Sequence, residues 1–338
     1  MVTDSTFSTR SHGGQDSLGV PLHDFSTNSH ACGPCPPALA AVQQADASVY
    51  PDAAYSALRA QLAAFHGVAV QRVLLAGSAS EFIFRITALA AQRGAAAVWL
   101  PPHSYGDYAQ SAQAWGLTAV PQPAQAQLRW ACDPSSPLGA AHAGLAEQVD
   151  TAALCVLDRA YEPLRLSGRL ALSDESLQQC WQLWTPNKAL GLTGVRAAYV
   201  IAPLGADEAV IQLERLAPSW PVGAHGVAML QAWTTPAVQT WLADSLGSLR
   251  DWKTRQIALC ESLGWTCLPS EANFFCARPA LSPAMNLQQV LSELRAQGIK
   301  LRDTTSFGLP GHVRISVLAP AAQDTLHNTW QHIIKKAA

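Results

Sequence analysis

Residues 72–92 read RVLLAGSASEFIFRITALAAQ. Arg72 to Ala76 is a short apolar run of strand length, Gly77 to Ser80 is a loop of small residues, and Glu81 to about Gln92 is a long apolar helix. A strand that passes through a short loop straight into a helix is the repeating unit of a parallel sheet, because parallel strands need a crossover. The rhythm continues toward the C-terminus. Ala95–Leu100 predicts a strand, Ser104–Trp115 a helix, Leu154–Leu157 a buried strand ending on Asp158, and Ala197–Ile201 another strand. The expected fold class is therefore α/β, a large domain with a mostly parallel sheet flanked by helices. Before it, residues 1–37 read as an extended arm with one strand-like piece, Leu22–Ser26. Residues 38–65 read as helix in two pieces broken at Tyr50-Pro51-Asp52. After it, a long helical pattern from about Gly223 to Leu263 leads to a strand at Asn273–Ala277, a helix at Leu287–Gln297 and a strand at Val313–Val317. That mixture predicts a smaller α+β domain. The boundaries expected are an arm at 1–37 shared with the small domain and the active site, a large domain at 38–222, and a linking helix with the small domain at 223–338.

The composition fits a dense core. Of 338 residues, 49% are apolar and 14% are charged, where a quarter charged is usual. A disordered chain would show the opposite balance. The net charge is −2, with 22 basic and 24 acidic residues and no long basic run, so neither nucleic acid nor an anionic membrane is expected as a partner. The longest apolar stretches, such as Ala95–Pro102, are too short to span a bilayer. The polar first sixteen residues lack the apolar core of a secretory leader, and a cytoplasmic location is expected. The eight cysteines are scattered, which favours free thiols. Cys32-Gly-Pro-Cys35 has redox-motif spacing but sits in a proline-rich loop, and no further ligands at zinc spacing accompany it. Loop coincidence is the expectation, no metal is expected, and thiol redox chemistry is the alternative.

Three segments carry candidate chemistry. Gly77-Ser78-Ala79-Ser80 before a helix offers either a plain cap through Ser78 or Ser80 or a cradle of N–H groups for an anion. Asp158, emerging from an apolar strand, either caps the following turn or meets a cation. Lys188 lies in Thr185-Pro-Asn-Lys-Ala-Leu-Gly-Leu-Thr-Gly-Val-Arg196, among small and apolar residues that do not suit a solvated face. A lysine in such surroundings has a lowered pKa and becomes a nucleophile toward carbonyl groups.

Taken together, these segments resemble the class I/II aminotransferases of the type I pyridoxal-phosphate fold, in their histidinol-phosphate aminotransferase and threonine-phosphate decarboxylase branch. The family's S-K-A-F-G-L-A-G-L-R is similar to Asn187–Arg196, D-E-A-Y to Asp158-Arg159-Ala160-Tyr161, and G-N-G-S-D-E to Ala76–Glu81. P-x-Y-x-x-Y resembles Ser104-Tyr105-Gly-Asp-Tyr108, with His103 where the proline would stand, and Y-P-(D/E) resembles Tyr50-Pro51-Asp52. S-x-x-N-F resembles Ser270–Phe274, and Y-L-R-I-S resembles His312–Ser316. The resemblance implies pyridoxal 5'-phosphate as cofactor and makes 38–222 its binding domain. It also implies that Lys188 holds the cofactor and moves the substrate's α-proton. Asp158 would pair with the pyridinium nitrogen, Tyr161 would reach the phenolic oxygen, and Tyr105 would cover the ring. Ala79 and Ser80, with Arg196 and Thr185 or Asn187, would hold the phosphate. Tyr50 would reach that phosphate from a neighbouring subunit, which makes the active unit a homodimer. Arg314 would grip the substrate carboxylate, and Arg302 and Asn28 would join it in binding a small amino substrate.

This chain departs from the family at several points. Ser135-Ser136-Pro137-Leu138-Gly139 stands for N-N-P-T-G, so Ser136 takes the place of the asparagine on the phenolic oxygen. Arg159 replaces a glutamate, and the arm continues from Asn28 as Ser-His-Ala-Cys rather than N-P. His12-Gly13-Gly14, Asp24-Phe25-Ser26 and Pro218–Val222 resemble the decarboxylases, whereas the lysine segment is closer to the aminotransferases. An aminotransferase is therefore the first expectation and a threonine-phosphate decarboxylase the second. A non-enzymatic binding protein of the same fold is a remote third, because Lys188 is present and no room remains for an added DNA-binding domain.

Overall fold

A computed structural model describes residues 13–149, 153–283 and 285–337, so His12 of the arm motif lies outside the described residues. The strands in chain order are β1 (His23–Asp24), β2 (Val73–Ala76), β3 (Ala97–Trp99), β4 (Thr118–Val120), β5 (Leu128–Cys132), β6 (Leu154–Asp158), β7 (Trp181–Trp184), β8 (Ala198–Ile201), β9 (Thr266–Cys267), β10 (Phe274–Arg278), β11 (Ile299–Lys300), β12 (Arg302–Asp303) and β13 (Val313–Ser316). Seven of them form the large sheet in the order β2-β8-β7-β6-β5-β3-β4. β8 runs antiparallel to both neighbours, and every other adjacent pair is parallel. β8 is reversed because the chain leaves β7 at Trp184 and returns through a tight turned loop instead of a crossover helix. The loops after β2, β3, β5, β6 and β7 consequently all open at one end of the sheet, where open α/β sheets bind ligands.

Side chains alternate along these strands with the period of two. Val73, Leu75, Tyr199 and Ile201 pack on one face with Leu62, Met229, Leu230 and Trp233. Leu74, Ala76, Ala198 and Val200 pack on the other with Phe82, Ile86, Trp130 and Trp181. A second sheet, β12-β13-β10-β9, is antiparallel throughout. Its core collects Phe25 from the arm with Trp265, Phe275, Ile299, Leu326 and Trp330. The arm reaches it because β1 pairs in parallel with β11 and Asp16 bridges Arg295 and Lys300.

Several elements differ from the sequence expectations. The helical pattern of 223–263 is two helices, Ala224–Trp233 and Pro236–Ser262. Thr234 and Thr235 turn their hydroxyls back onto the carbonyls of Gln231 and Ala232, and Pro236 can only begin a helix. β5 and β7 went unforeseen because Arg129 and Gln182 interrupt their apolar runs, although both side chains are buried. The helix Pro320–Ala337, which closes the small core, was likewise unforeseen. Among the described residues no helix is long and apolar enough to cross a membrane.

The loop between β7 and β8 is held by the arm. The His30 N–H donates to the Lys188 carbonyl at 3.0 Å and the Cys35 N–H to the Leu190 carbonyl at 2.9 Å. Gly191 has φ +66°, and a Cβ there would stand 2.6 Å from the carbonyl oxygen of Gly33. Gly194, three residues on, has open space around it. Gly191→Ala should therefore lose at least about 2 kcal/mol of stability, from left-handed strain plus a backbone collision. Gly194→Ala should change stability by less than about 0.5 kcal/mol. Urea unfolding of the pair checks this, and equal midpoints would contradict it.

Candidate active site

β6 delivers Asp158 into the protein interior, where a lone carboxylate is costly. The carboxylate has three compensations. Its Oδ2 accepts the Tyr108 hydroxyl proton at 2.7 Å, and its Oδ1 accepts the Ala160 N–H at 2.9 Å. Burial pushes its pKa up, while these two bonds and the charge of Lys188 pull it back. The turn cap and the cation, open alternatives on sequence, are thus both present. Tyr108 was missed as a site residue. Its place three residues after Tyr105, on one helix face, was the signal. Its ring stacks on Trp130 at 4.4 Å and 10°.

Lys188 follows β7, half-buried, with its Nζ 5.2 Å from the centre of the Tyr161 ring. Tyr161 follows Asp158 by three residues, and its hydroxyl accepts from Asn28 Nδ2 at 3.1 Å. Asn28 is fully buried in the left-handed region, at φ 59°, which asparagine tolerates better than most residues. Ser316 Oγ donates to its Oδ1 at 2.9 Å and accepts its N–H at 2.7 Å, and Asn273 Nδ2 donates to its carbonyl. Ser316 and Asn273 are therefore the positioning partners that sequence alone did not single out.

On the far side of Tyr161 its ring meets Phe274 edge-on at 4.6 Å, and the Arg314 guanidinium lies 5.6 Å from the Phe274 ring centre. Arg314 faces Arg302 directly across the β12–β13 pair. Arg314 Nη2 donates to the Ser26 carbonyl at 2.8 Å, while its buried Nε has no partner among the described residues. Arg302 donates to the Asp303 carbonyl and the Ser306 hydroxyl. Burial and then Arg314 loosen its hold on its proton. The Phe307 ring lies 4.8 Å from the Arg302 guanidinium and 5.6 Å from that of Arg314.

The remaining candidates ring the same end of the sheet. Ser78 caps the helix Ala79–Gln92 by accepting the Glu81 N–H, which leaves Ala79 and Ser80 in its first turn. Ser80 Oγ lies 3.2 Å from the Tyr105 hydroxyl. Burial pushes the Tyr105 phenol up to about 12. Thr185 and Asn187 are buried beside Lys188, and Thr185 Oγ1 and Asn187 Oδ1 have no partner among the described residues. Ser136 is buried in the loop after β5. Two candidates are exposed to solvent in this single chain. Arg196 is exposed, and Tyr50, 77% exposed, stacks on Trp220 at 4.5 Å.

The donor set fits pyridoxal phosphate. It offers a buried carboxylate for a ring nitrogen, a phenol for an oxygen, a helix N-terminus for a phosphate, a lysine, and an unpaired buried hydroxyl at Thr185. In Cys32-Gly-Pro-Cys35, Cys32 is exposed and Cys35 buried, and burial raises both thiols, which works against a reactive thiolate.

Comparison with known proteins agrees with this geometry. A histidinol-phosphate aminotransferase of Symbiobacterium thermophilum is 28% identical over 336 residues, covering 88% of each chain. The structure of histidinol-phosphate aminotransferase from Sinorhizobium meliloti in complex with pyridoxal-5'-phosphate superposes with a TM-score of 0.78 at 23% identity, covering 92% of this chain and 90% of that one. That of L-threonine-O-3-phosphate decarboxylase from Porphyromonas gingivalis gives 0.74 at 18% identity, covering 92% and 99%. The family model for aminotransferase class I and II matches residues 21–140 and 145–333, nearly the whole chain: this chain belongs to the class I and II aminotransferase family.

Proposed function

We propose that this chain is a pyridoxal-phosphate-dependent aminotransferase acting on a small amino substrate that carries a phosphate, of the histidinol-phosphate kind. One observation carries the reading: Lys188 Nζ lies 5.2 Å from the centre of the Tyr161 ring, three residues after the buried Asp158, and Tyr161 leads through Phe274 to Arg314, which faces Arg302. Bound pyridoxal phosphate supplies an electron sink for the substrate's α-carbon. Residues 38–222 would form the part that holds it. Asp158 would keep the ring nitrogen protonated, Tyr161 and Ser136 would address the phenolic oxygen, and Tyr105 would cover the ring. Ala79, Ser80, Thr185, Asn187 and Arg196 would surround the phosphate. Lys188 Nζ would hold the cofactor, then accept the α-proton and return it. Arg314 would clamp the carboxylate of an amino-acid partner, or the phosphate of a substrate of the histidinol-phosphate kind, as a fork. Arg302, facing it across the strand pair in buried surroundings, would add a second positive charge, and a bound phosphate would offset the repulsion between the two.

A second reading is decarboxylation of an amino-acid phosphate. The arm favours it, because Gly13-Gly14 and Asp24-Phe25-Ser26, two decarboxylase-like pieces, are packed on each other. The Gly14 N–H donates to Ser26 Oγ at 2.8 Å, and a Cβ at Gly13 would collide with the Ser26 carbonyl. Tyr50 is the residue proposed to act across a homodimer. It is exposed and stacked on Trp220, beside the exposed Val49.

Borohydride treatment of the cofactor-loaded protein should fix pyridoxal phosphate on the peptide carrying Lys188. Label on any other lysine, or none, would sink the assignment.

A phosphorylated amino substrate should be preferred over its dephosphorylated form by about 10- to 150-fold in kcat/KM, as a charge-assisted contact implies, and Arg302→Ala should abolish the preference. Release of a keto product identifies transfer, and release of carbon dioxide identifies the second reading.

Sedimentation equilibrium should find a dimer at micromolar concentration, with Tyr50→Ala binding pyridoxal phosphate about tenfold more weakly. A fully active monomer would end the composite-site proposal.

A further inference from the structure

His103 occupies the position where the family pattern carries proline, and the roles above leave it no task. Its Nδ1 lies 2.9 Å from the carbonyl oxygen of Phe307. A carbonyl only accepts, so this nitrogen bears the proton and donates. The bond joins the two sheets, since His103 follows β3 and Phe307 ends the 3-10 turn Thr305–Phe307 between β12 and β13. The turn's other hydrogen bonds stay within the small domain, and among them Ser306 Oγ accepts from Arg302 at 2.8 Å. Thr304 Oγ1 donates to the carbonyls of Leu309 and His312, the Phe307 N–H to Thr304, and Gly308 adopts φ +74°. Thr305, Ser306 and Gly308 are exposed. The Phe307 ring meanwhile lies against both guanidinium groups, at 4.8 Å and 5.6 Å.

We propose that His103 is a positioning residue for substrate-anion recognition, a latch from the large sheet that holds the Phe307 ring against Arg302 and Arg314. With the ring in place, water is kept from one side of both cations, and an anion meeting them is bound in a less polar medium than bulk water. With the latch open, the exposed turn swings out and carries the ring with it. Affinity for the substrate's phosphate then depends on contact between the two sheets. A proline at 103 has no donor and cannot serve. The inference rests on the proposed phosphate-bearing substrate.

The test titrates inorganic phosphate calorimetrically into the cofactor-loaded wild type and into His103→Ala, His103→Asn and Arg302→Ala, and follows amide exchange over residues 304–309 in each. In His103→Ala, phosphate should bind about tenfold more weakly, KM for the phosphorylated substrate should rise by a similar factor with kcat within about threefold, and the amides of Phe307, Gly308 and Leu309 should exchange faster. His103→Asn places an amide donor where Nδ1 stands and should restore all three. Unchanged phosphate affinity and exchange in His103→Ala overturn the latch. A His103→Asn variant that behaves like His103→Ala assigns the effect to ring packing and also overturns it. Wild-type protein that binds no phosphate, with Arg302→Ala equally silent, overturns the phosphate-bearing substrate itself. The exchange measurement, which needs no anion, separates that failure from failure of the latch.

Discussion

A carboxylate buried at the end of β6 is the constraint around which the rest of the site is arranged. Removing a charge from water costs several kcal/mol unless hydrogen bonds and an opposite charge compensate. Asp158 obtains them from Tyr108, the Ala160 N–H and Lys188, and each compensation fixes an element. Tyr108, stacked on Trp130, sets the rotation of the helix Gly106–Ala114 and thereby places Tyr105 at its N-cap. Ala160 starts the turn that carries Tyr161. Lys188 requires the tight loop between β7 and β8, and with it the single reversed strand of the sheet.

A second set of charges joins the small sheet to the large one. Arg165 contacts Asp133 after β5, Glu162, and Glu271 just before β10. Burial works against its guanidinium, and the carboxylates of Asp133 and Glu162 more than offset this, so its proton is held more tightly than usual. The Glu271 and Ala272 N–H groups both reach the Gly139 carbonyl, which brings the Ser136 loop alongside the segment that carries Asn273. Asn273 in turn supports Asn28 and so the Tyr161 hydroxyl. The cofactor side and the substrate side are therefore coupled by polar contacts as well as by apolar packing.

Much of this was legible before any coordinates. The strand–loop–helix at 72–92, the strand ending on Asp158 and the glycine-rich lysine segment are local signals, and each appears where its residues implied. Less legible were features that depend on distant partners. β5 carries the buried Arg129, whose guanidinium donates to the carbonyl of Gln148, 19 residues further along the chain. Tyr108 reads as an ordinary helical aromatic until β6 brings Asp158 beneath it. Ser316 and Asn273 orient Asn28 across more than two hundred residues of chain, a separation no pattern of spacing encodes. Arg196 and Tyr50 are visible as motif residues, yet in this single chain both face solvent.

The 27-residue helix Pro236–Ser262 has its first half in the core of the large sheet, through Val238, Leu242 and Leu249, and its end in the core of the small one, through Cys260. Between these, Lys253 Nζ donates to the carbonyls of Ser270 and Ala272, and Gln256 bonds Ser316 and Leu318. At about 1.5 Å per residue the helix is a lever about 40 Å long. A tilt of about 5° at its first turn would carry its last turn through about 3.5 Å, more than the length of a hydrogen bond. Because one unbroken helix is shared by both cores, a small tilt of it would be magnified into ångström-scale travel of the small sheet, which carries the two arginines.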